Sequence, residues 1–168
     1  CSVLTDGTVK CWGYNYYGQL GDGTTTNRSS PVSVSGITGA TQVAAGYHSS
    51  CALLSNGTVK CWGTKGTYGY LGDGNLGIKT SPVSVSGLSS VSEGDAYNHT
   101  CVVAGGAVKC WGDNAGGKLG DGSTTNRSTP VSVSGISTAT KVATGDDHSC
   151  ALLDNKSIQC WGGGNYVL

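Results

Sequence analysis

The sequence predicts an all-β fold, a β-propeller of four-stranded blades of about 50 residues each. Three observations lead there. The segment Cys1-Ser2-Val3-Leu4-Thr5-Asp6-Gly7-Thr8-Val9-Lys10-Cys11-Trp12-Gly13 recurs as Cys51 to Gly63, Cys101 to Gly112 and Cys150 to Gly162, with first cysteines 50, 50 and 49 residues apart. Glycine makes up 29 of 168 residues, and Ser (21) plus Thr (18) another 39. Such a chain opposes helix, because Ser and Thr offer the backbone competing hydrogen bonds and Gly loses the most entropy on ordering. Each period also holds four short strand candidates punctuated by glycine.

Taken in order, those candidates are as follows. Pro31-Val32-Ser33-Val34-Ser35, matched at Pro82 and Pro130, alternates with period two, and its proline is expected at the strand start, where a missing N–H does least harm. A second strand is anchored by Val43 and Val142. The third and fourth, Cys51–Leu54 and Thr58–Trp62, flank Ser55-Asn56-Gly57, a three-residue hairpin turn with Gly57 in the left-handed position. Residues 1–168 read as part of one propeller domain, with units of about 1–50, 51–100 and 101–149 and a partial unit 150–168. The chain starts without an initiator Met or a signal peptide, which reads as a processed or partial polypeptide.

The turns fix the register, and the register fixes the cysteines. Counting outward from Ser55-Asn56-Gly57 pairs Leu53 with Val59, Ala52 with Lys60 and Cys51 with Cys61. In the third unit the turn shortens to Gly105-Gly106, and the same count pairs Val103 with Val108, Val102 with Lys109 and Cys101 with Cys110. Turn and cysteine spacing lose one residue together. Directly opposed residues lie within disulfide reach, so the expected bridges are Cys1–Cys11, Cys51–Cys61, Cys101–Cys110 and Cys150–Cys160. No C-x-x-C pair offers a metal alternative. Four bridges place the chain in an oxidising compartment: extracellular, secreted or at a cell surface. Asn27, Asn56, Asn98, Asn126 and Asn155 each begin an N-x-[ST] sequon and are candidate N-glycosylation sites.

Ten basic and ten acidic residues give zero net charge, so the footprint of a nucleic-acid or anionic-membrane binder is missing. No apolar run is long enough to span a bilayer.

These motifs together resemble the regulator of chromosome condensation repeat family. They are the His-[Ser/Thr] approach to a cysteine, the Asn56-Gly57-Thr58-Val59 hairpin, Trp12-Gly13 followed by Asn15, Gly18-Gln19-Leu20-Gly21-Asp22-Gly23, and a basic residue three before proline (Arg28, Lys79, Arg127). The resemblance covers the whole chain, and the cysteine-bearing version is similar to extracellular bacterial members. It implies a seven-bladed ring, of which about 3.4 repeats are present. The Cys51 unit departs from the pattern: its loop from Thr64 lacks the Asn seen at Asn15 and Asn114 and carries one extra residue.

Candidate chemistry is sparse. His48, His99 and His148 recur once per repeat at equivalent places, as a blade-plan residue does rather than a single catalytic group. Asp22, Asp73 and Asp121 lie beside Gly in turns, where Asp serves the turn itself, and the ligand spacing of a calcium loop is missing. No metal or cofactor is expected, and Trp12, Trp62, Trp111 and Trp161 read as packing between blades. Tyr14, Tyr16, Tyr17, Tyr68, Tyr70 and Tyr166 all fall in the loop after Trp-Gly in successive repeats, on one face of a propeller. Tyr with Gly, Ser and Asn is the composition of adaptable binding surfaces.

The expected function is non-enzymatic: an extracellular or cell-surface propeller scaffold that binds a protein or surface glycan through its loop faces. The alternatives are a structural subunit of an extracellular filament or sheath, and a secreted enzyme-inhibitor propeller, since the resembled family includes a β-lactamase inhibitor. The family's nuclear nucleotide-exchange role does not fit the cysteine usage. Terminal faces bearing Val9 and Trp12 at one end and Ile158 and Trp161 at the other are expected to be covered by further repeats or neighbouring copies.

Overall fold

The computed structural model describes residues 1–64 and 68–163. Among the described residues, fourteen strands form four antiparallel sheets in sequence order, each a blade. The first blade comprises β1 (Ser2–Val3), β2 (Val9–Gly13) and β3 (Arg28–Ser33). The second comprises β4 (Ala40–Ala45), β5 (Ser49–Leu54), β6 (Val59–Gly63) and β7 (Lys79–Ser84). The third comprises β8 (Val91–Ala96), β9 (His99–Ala104), β10 (Ala107–Gly112) and β11 (Arg127–Ser132). The fourth comprises β12 (Ala139–Thr144), β13 (His148–Leu153) and β14 (Ile158–Gly162). Blades converge through β4, β8 and β12: Gln42 Nε2 donates to the Gly94 carbonyl at 3.0 Å, and Thr144 N–H to Asp95 Oδ2 at 2.8 Å.

The hairpin registers are those counted from the turns, with Cys51 opposite Cys61 and Cys101 opposite Cys110. All four bridges form, with Cα–Cα distances of 4.0–4.1 Å. Leu54 N–H donates to the Thr58 carbonyl, so by alternation the cysteines occupy a non-hydrogen-bonded pair, the class in which side chains approach most closely. Gly57 has φ +74°, as its turn position requires.

Two expectations need correction. The proline does not start its strand: β3, β7 and β11 begin three residues earlier, at Arg28, Lys79 and Arg127. Proline is tolerated because these strands are the sheet edge and bulge there. In β11, Val131 pairs with Cys110 and Arg127 with Gly112, so three residues pass opposite Trp111 and no ladder bond is demanded of Pro130. Nor does Val9 lie on a terminal face. It is buried, with Cys11, in a core shared with Ala52 and Trp62 of the second blade.

The reason is the strand's period of two. Val9 and Cys11 point forward onto the next blade, whereas Trp12, of opposite parity, points back and is 47% exposed. The same parity repeats along the row. Val59 and Cys61 join Leu71, Val85 and Trp111, and Val108 and Cys110 join Leu119, Val133 and Val142. The disulfides are therefore part of the apolar layers between blades as well as hairpin staples. Trp161 correspondingly packs back onto the third blade, leaving Ile158 (67% exposed) and Cys160 on the far side.

Candidate functional site

The end of the blades where β4 meets β5, β8 meets β9 and β12 meets β13 also carries the loops that follow Trp-Gly. This face holds the tyrosines. The opposite face holds the tight hairpins at Gly57, Gly106 and Lys156.

Each long loop is held by the next blade. The Gln19 carbonyl accepts the Trp62 indole N–H at 3.0 Å and the Ser50 hydroxyl at 2.9 Å. The Lys118 carbonyl accepts Trp161 and Ser149, both at 2.9 Å, and the Tyr70 carbonyl accepts Trp111 at 3.0 Å. Gly21, with φ +68°, must be glycine: a Cβ there would lie 2.7 Å from Trp62 Nε1. The Leu-Gly-Asp-Gly motif and the Trp-Gly motif are thus two halves of one inter-blade lock.

Within the first and third loops a buried asparagine organises the chain. Asn15 Nδ2 donates to Asp22 Oδ1 (3.2 Å) and to the carbonyls of Thr24 (3.1 Å) and Thr26 (3.0 Å), while its Oδ1 accepts the Leu20 N–H at 2.9 Å. Asn114 repeats the pattern with Asp121, Ser123, Thr125 and Leu119. Arg28 and Arg127 close the loops on Asp22 and Asp121 at 2.8 Å and 2.7 Å. Hydrogen bonds from Ser123, Arg127 and Asn114 outweigh burial and hold the Asp121 carboxyl down at about 2; those from Thr24 and Arg28 likewise lower Asp22. These aspartates serve their loops.

The expected tyrosines divide. Tyr14 (55% exposed) and Tyr16 (63%) are open, and Tyr68 is exposed 5.7 Å from Tyr70, ring to ring. Tyr17 packs edge-on against His48 at 4.5 Å. Tyr70 is partly sunk, and burial together with the nearby Asp113 charge pushes its hydroxyl up to about 12. Tyr166 lies outside the described residues. Two tyrosines missing from that set join the face: Tyr47 packs edge-on against His48 at 4.4 Å and lies 6.3 Å from Tyr97, the two rings tilted. Both sit four residues before a cysteine, a coincidence of spacing readable in the chain, but each is a lone Tyr in its loop. Asp146 occupies the same place in the fourth blade.

The three histidines are not equivalent. His99 and His148 begin strands and pair with Gly112 and Gly162, whereas Ser49 pairs with Gly63, which puts His48 one residue upstream in the turn. His99 is buried with Nε2 against the Ser149 hydroxyl of the next blade, and burial pulls it down to about 4. That hydroxyl is itself fully buried and spends its proton on the Lys118 carbonyl, so the pair packs two blades together. Lys118 is 2% exposed, with its ammonium on Asp113 (2.9 Å), Asp147 (3.3 Å) and the Asp146 carbonyl (2.9 Å).

The sequons also sort by geometry. Asn56 and Asn155 are exposed in hairpin turns, each Oδ1 accepting from the backbone and hydroxyl of Thr58 or Ser157. Asn27 and Asn126 are exposed, with Oδ1 taking the N–H of Asn15 and Asn114. Asn98 instead commits its Nδ2 to Asp146 at 2.6 Å.

Comparison with known proteins accords with this architecture. The regulator of chromosome condensation (RCC1) repeat matches residues 6–53 and 105–152, and a second description of the same repeat matches 40–69 and 139–166. The ultraviolet-B receptor UVR8 of Arabidopsis thaliana is 30% identical over 174 residues, covering 98% of this chain and 39% of the receptor. Yeast RCC1 (Prp20), solved bound to Kap60, superposes with a TM-score of 0.79 at 26% identity, over 94% of this chain and 40% of the other. Human WBSCR16 shares the fold, with a TM-score of 0.80 at 24% identity over 93% and 44% of the two chains. The chain thus spans about two fifths of the length of these relatives, and on its repeats and its likeness to them it belongs to the regulator of chromosome condensation repeat family.

Proposed function

We propose that this chain is a non-enzymatic scaffold of the extracellular space or cell surface, binding another protein or a surface glycan through its tyrosine-bearing loop face. The observation that carries the reading is the exposure of Tyr14, Tyr16, Tyr47 and Tyr97 on one face, contributed by loops of three successive blades. An apolar surface with polar tips, held on rigid strands, suits contact with a partner. The relative solved with Kap60 is a propeller in complex with a protein, which agrees with the reading. Four disulfides favour an oxidising location. N-glycans at Asn27, Asn56, Asn126 and Asn155 would attach through Nδ2 and leave the Oδ1 contacts in place. Asn98 would lose its bond to Asp146 and is the poorest acceptor. Exposed Trp12 and Ile158, on opposite ends of the row of blades, suit cover by further blades of a ring.

The test is binding of the fluorescently labelled chain to the surface of the cells that produce it. Replacing Tyr14, Tyr16 and Tyr47 together by Ser should reduce binding about thirtyfold, the effect of one lost hot spot, with the thermal midpoint unchanged. Asn155→Ala on the hairpin face should do nothing. Equal binding by the triple variant would contradict the proposal.

A further inference from the structure

The aromatic face is continuous and ends in acid. Rings follow one another from Tyr16 to Tyr17 (5.1 Å), to His48 (4.5 Å), to Tyr47 (4.4 Å) and to Tyr97 (6.3 Å), from the loop of the first blade to a turn of the third. Tyr14, Tyr17, Tyr47 and His48 wall an open recess of about 480 Å3 whose lining holds no charged side chain. Beyond Tyr97 the next residue, Asn98, bonds to Asp146 of the fourth blade. Asp146 and Asp147 are exposed there, and Asp113 adjoins them through Lys118. The carboxylates of Asp113 and Asp147 meet the almost wholly buried Lys118 ammonium, which also takes the Asp146 carbonyl, while the Asp146 carboxylate is held by Asn98; with one ammonium against these three acids the local formal charge is −2. The chain as a whole is neutral, so this charge is a local feature.

Both halves of the face select the same sign. The faces of tyrosine rings carry negative quadrupole and attract cations, and the carboxylates do so directly. A guanidinium suits both, because it stacks flat on a ring and forks onto a carboxylate, whereas an ammonium is a hydrated point charge. We propose that the occupant of this face is an arginine-rich segment of a partner protein, one guanidinium seated on Tyr47 in the recess and its neighbours on Asp146 and Asp147. This rests on the reading of the loop face as the binding surface, and it names the chemistry of the partner.

Calorimetric titration of the intact chain with hexa-arginine, hexa-lysine, hexa-glutamate and chitohexaose tests it. Hexa-arginine should bind about threefold or more tighter than hexa-lysine, and hexa-glutamate should not bind. Tyr47→Ala should weaken hexa-arginine about fivefold while Tyr47→Phe, which keeps the ring, stays within about twofold. Asp146→Asn with Asp147→Asn should weaken it about tenfold, and raised salt should act in the same direction. Melting midpoints report on folding of each variant. Hexa-arginine binding that ignores Tyr47→Ala, or hexa-glutamate binding equally, would overturn the proposal. Chitohexaose binding through Tyr47 without hexa-arginine binding would overturn the arginine assignment and leave the loop face standing as the binding surface. Tyrosine variants that alter neither these titrations nor cell-surface binding would defeat both.

Discussion

The loops of the first and third blades, 13–28 and 112–127, and that of the second, 63–79, solve one problem in two ways. All three present the Leu-Gly-Asp-Gly turn to the next blade's tryptophan. In the first and third a fully buried asparagine ties the turn to the rest of the loop, and an arginine closes it. In the second the asparagine is missing from the sequence, Thr64 aligns with Tyr14 and Asp113 and has φ +92°, and Ile78 and Lys79 stand where the others have Asn and Arg. Asp73 keeps its turn with Asn75 (2.9 Å), while Leu76 and Ile78 are left exposed. The inter-blade lock is intact in every case, since Trp111 still donates to the Tyr70 carbonyl. What the blade plan demands is the glycine–tryptophan lock. The asparagine hub is an optional reinforcement, and its absence frees a loop to carry other side chains.

Breaking the hub should have the largest effect. Asn114→Ala strands the Leu119 N–H, two carbonyls and the Asp121 carboxylate, and should cost about 3 kcal/mol in denaturant unfolding. Asp73→Ala, at the turn aspartate of the second blade, should cost about 1 kcal/mol. Equal costs would erase the distinction between the loops.

Acid should separate the hub from the blade contacts. His99 is held neutral, with its folded value near 4 against 6.5 unfolded. The unfolded chain therefore binds the extra proton, and stability is complete above about pH 6.5 and lost as pH falls toward 4, on the order of 3 kcal/mol. His99→Gln should flatten that limb in a series of melts. Asp22 and Asp121 act in the next window: their lowered values give stability that is present above 3.8 and lost as pH falls through about 2 for Asp121. Asp121→Asn should remove that second limb's contribution from the third blade alone.

The smallest effect contrasts two hairpin turns. Gly57 and Lys156 occupy the same left-handed position, at φ +74° and +71°. A lysine there is strained, so Lys156→Gly should stabilise by about 1 kcal/mol. Gly57→Ala should destabilise by more than about 1 kcal/mol, since its Cβ would lie 2.9 Å from Ser90 N in addition to the same strain. Thermal midpoints moving in opposite directions are the expected outcome.

The blade architecture was legible because repeat, turn length and cysteine spacing varied together: one residue lost from the Gly105-Gly106 turn moved Cys110 by one. Strand parity already contained the forward direction of Val9 and the backward direction of Trp12, but which face meets which neighbour depends on the packing of blades. Lys118 reads as a surface lysine in a glycine-rich loop, and only the adjoining fourth blade buries it. The candidate face was legible where tyrosines cluster in one loop. Tyr47 and Tyr97 are single residues in separate loops, and their meeting is a product of the packing of the second blade on the third. His48 misled because one residue of slip in a turn changes its environment entirely.

On the proposed function, partners meet the tyrosine face while the hairpin face is scaffold. Site-specific photocrosslinking tests it most directly, with a benzophenone amino acid placed at Tyr47 in one protein and at Asn56 in another, both irradiated in the native setting. A discrete adduct is expected from position 47 and none from position 56. Adducts of equal yield from both positions, or from position 56 alone, would contradict it.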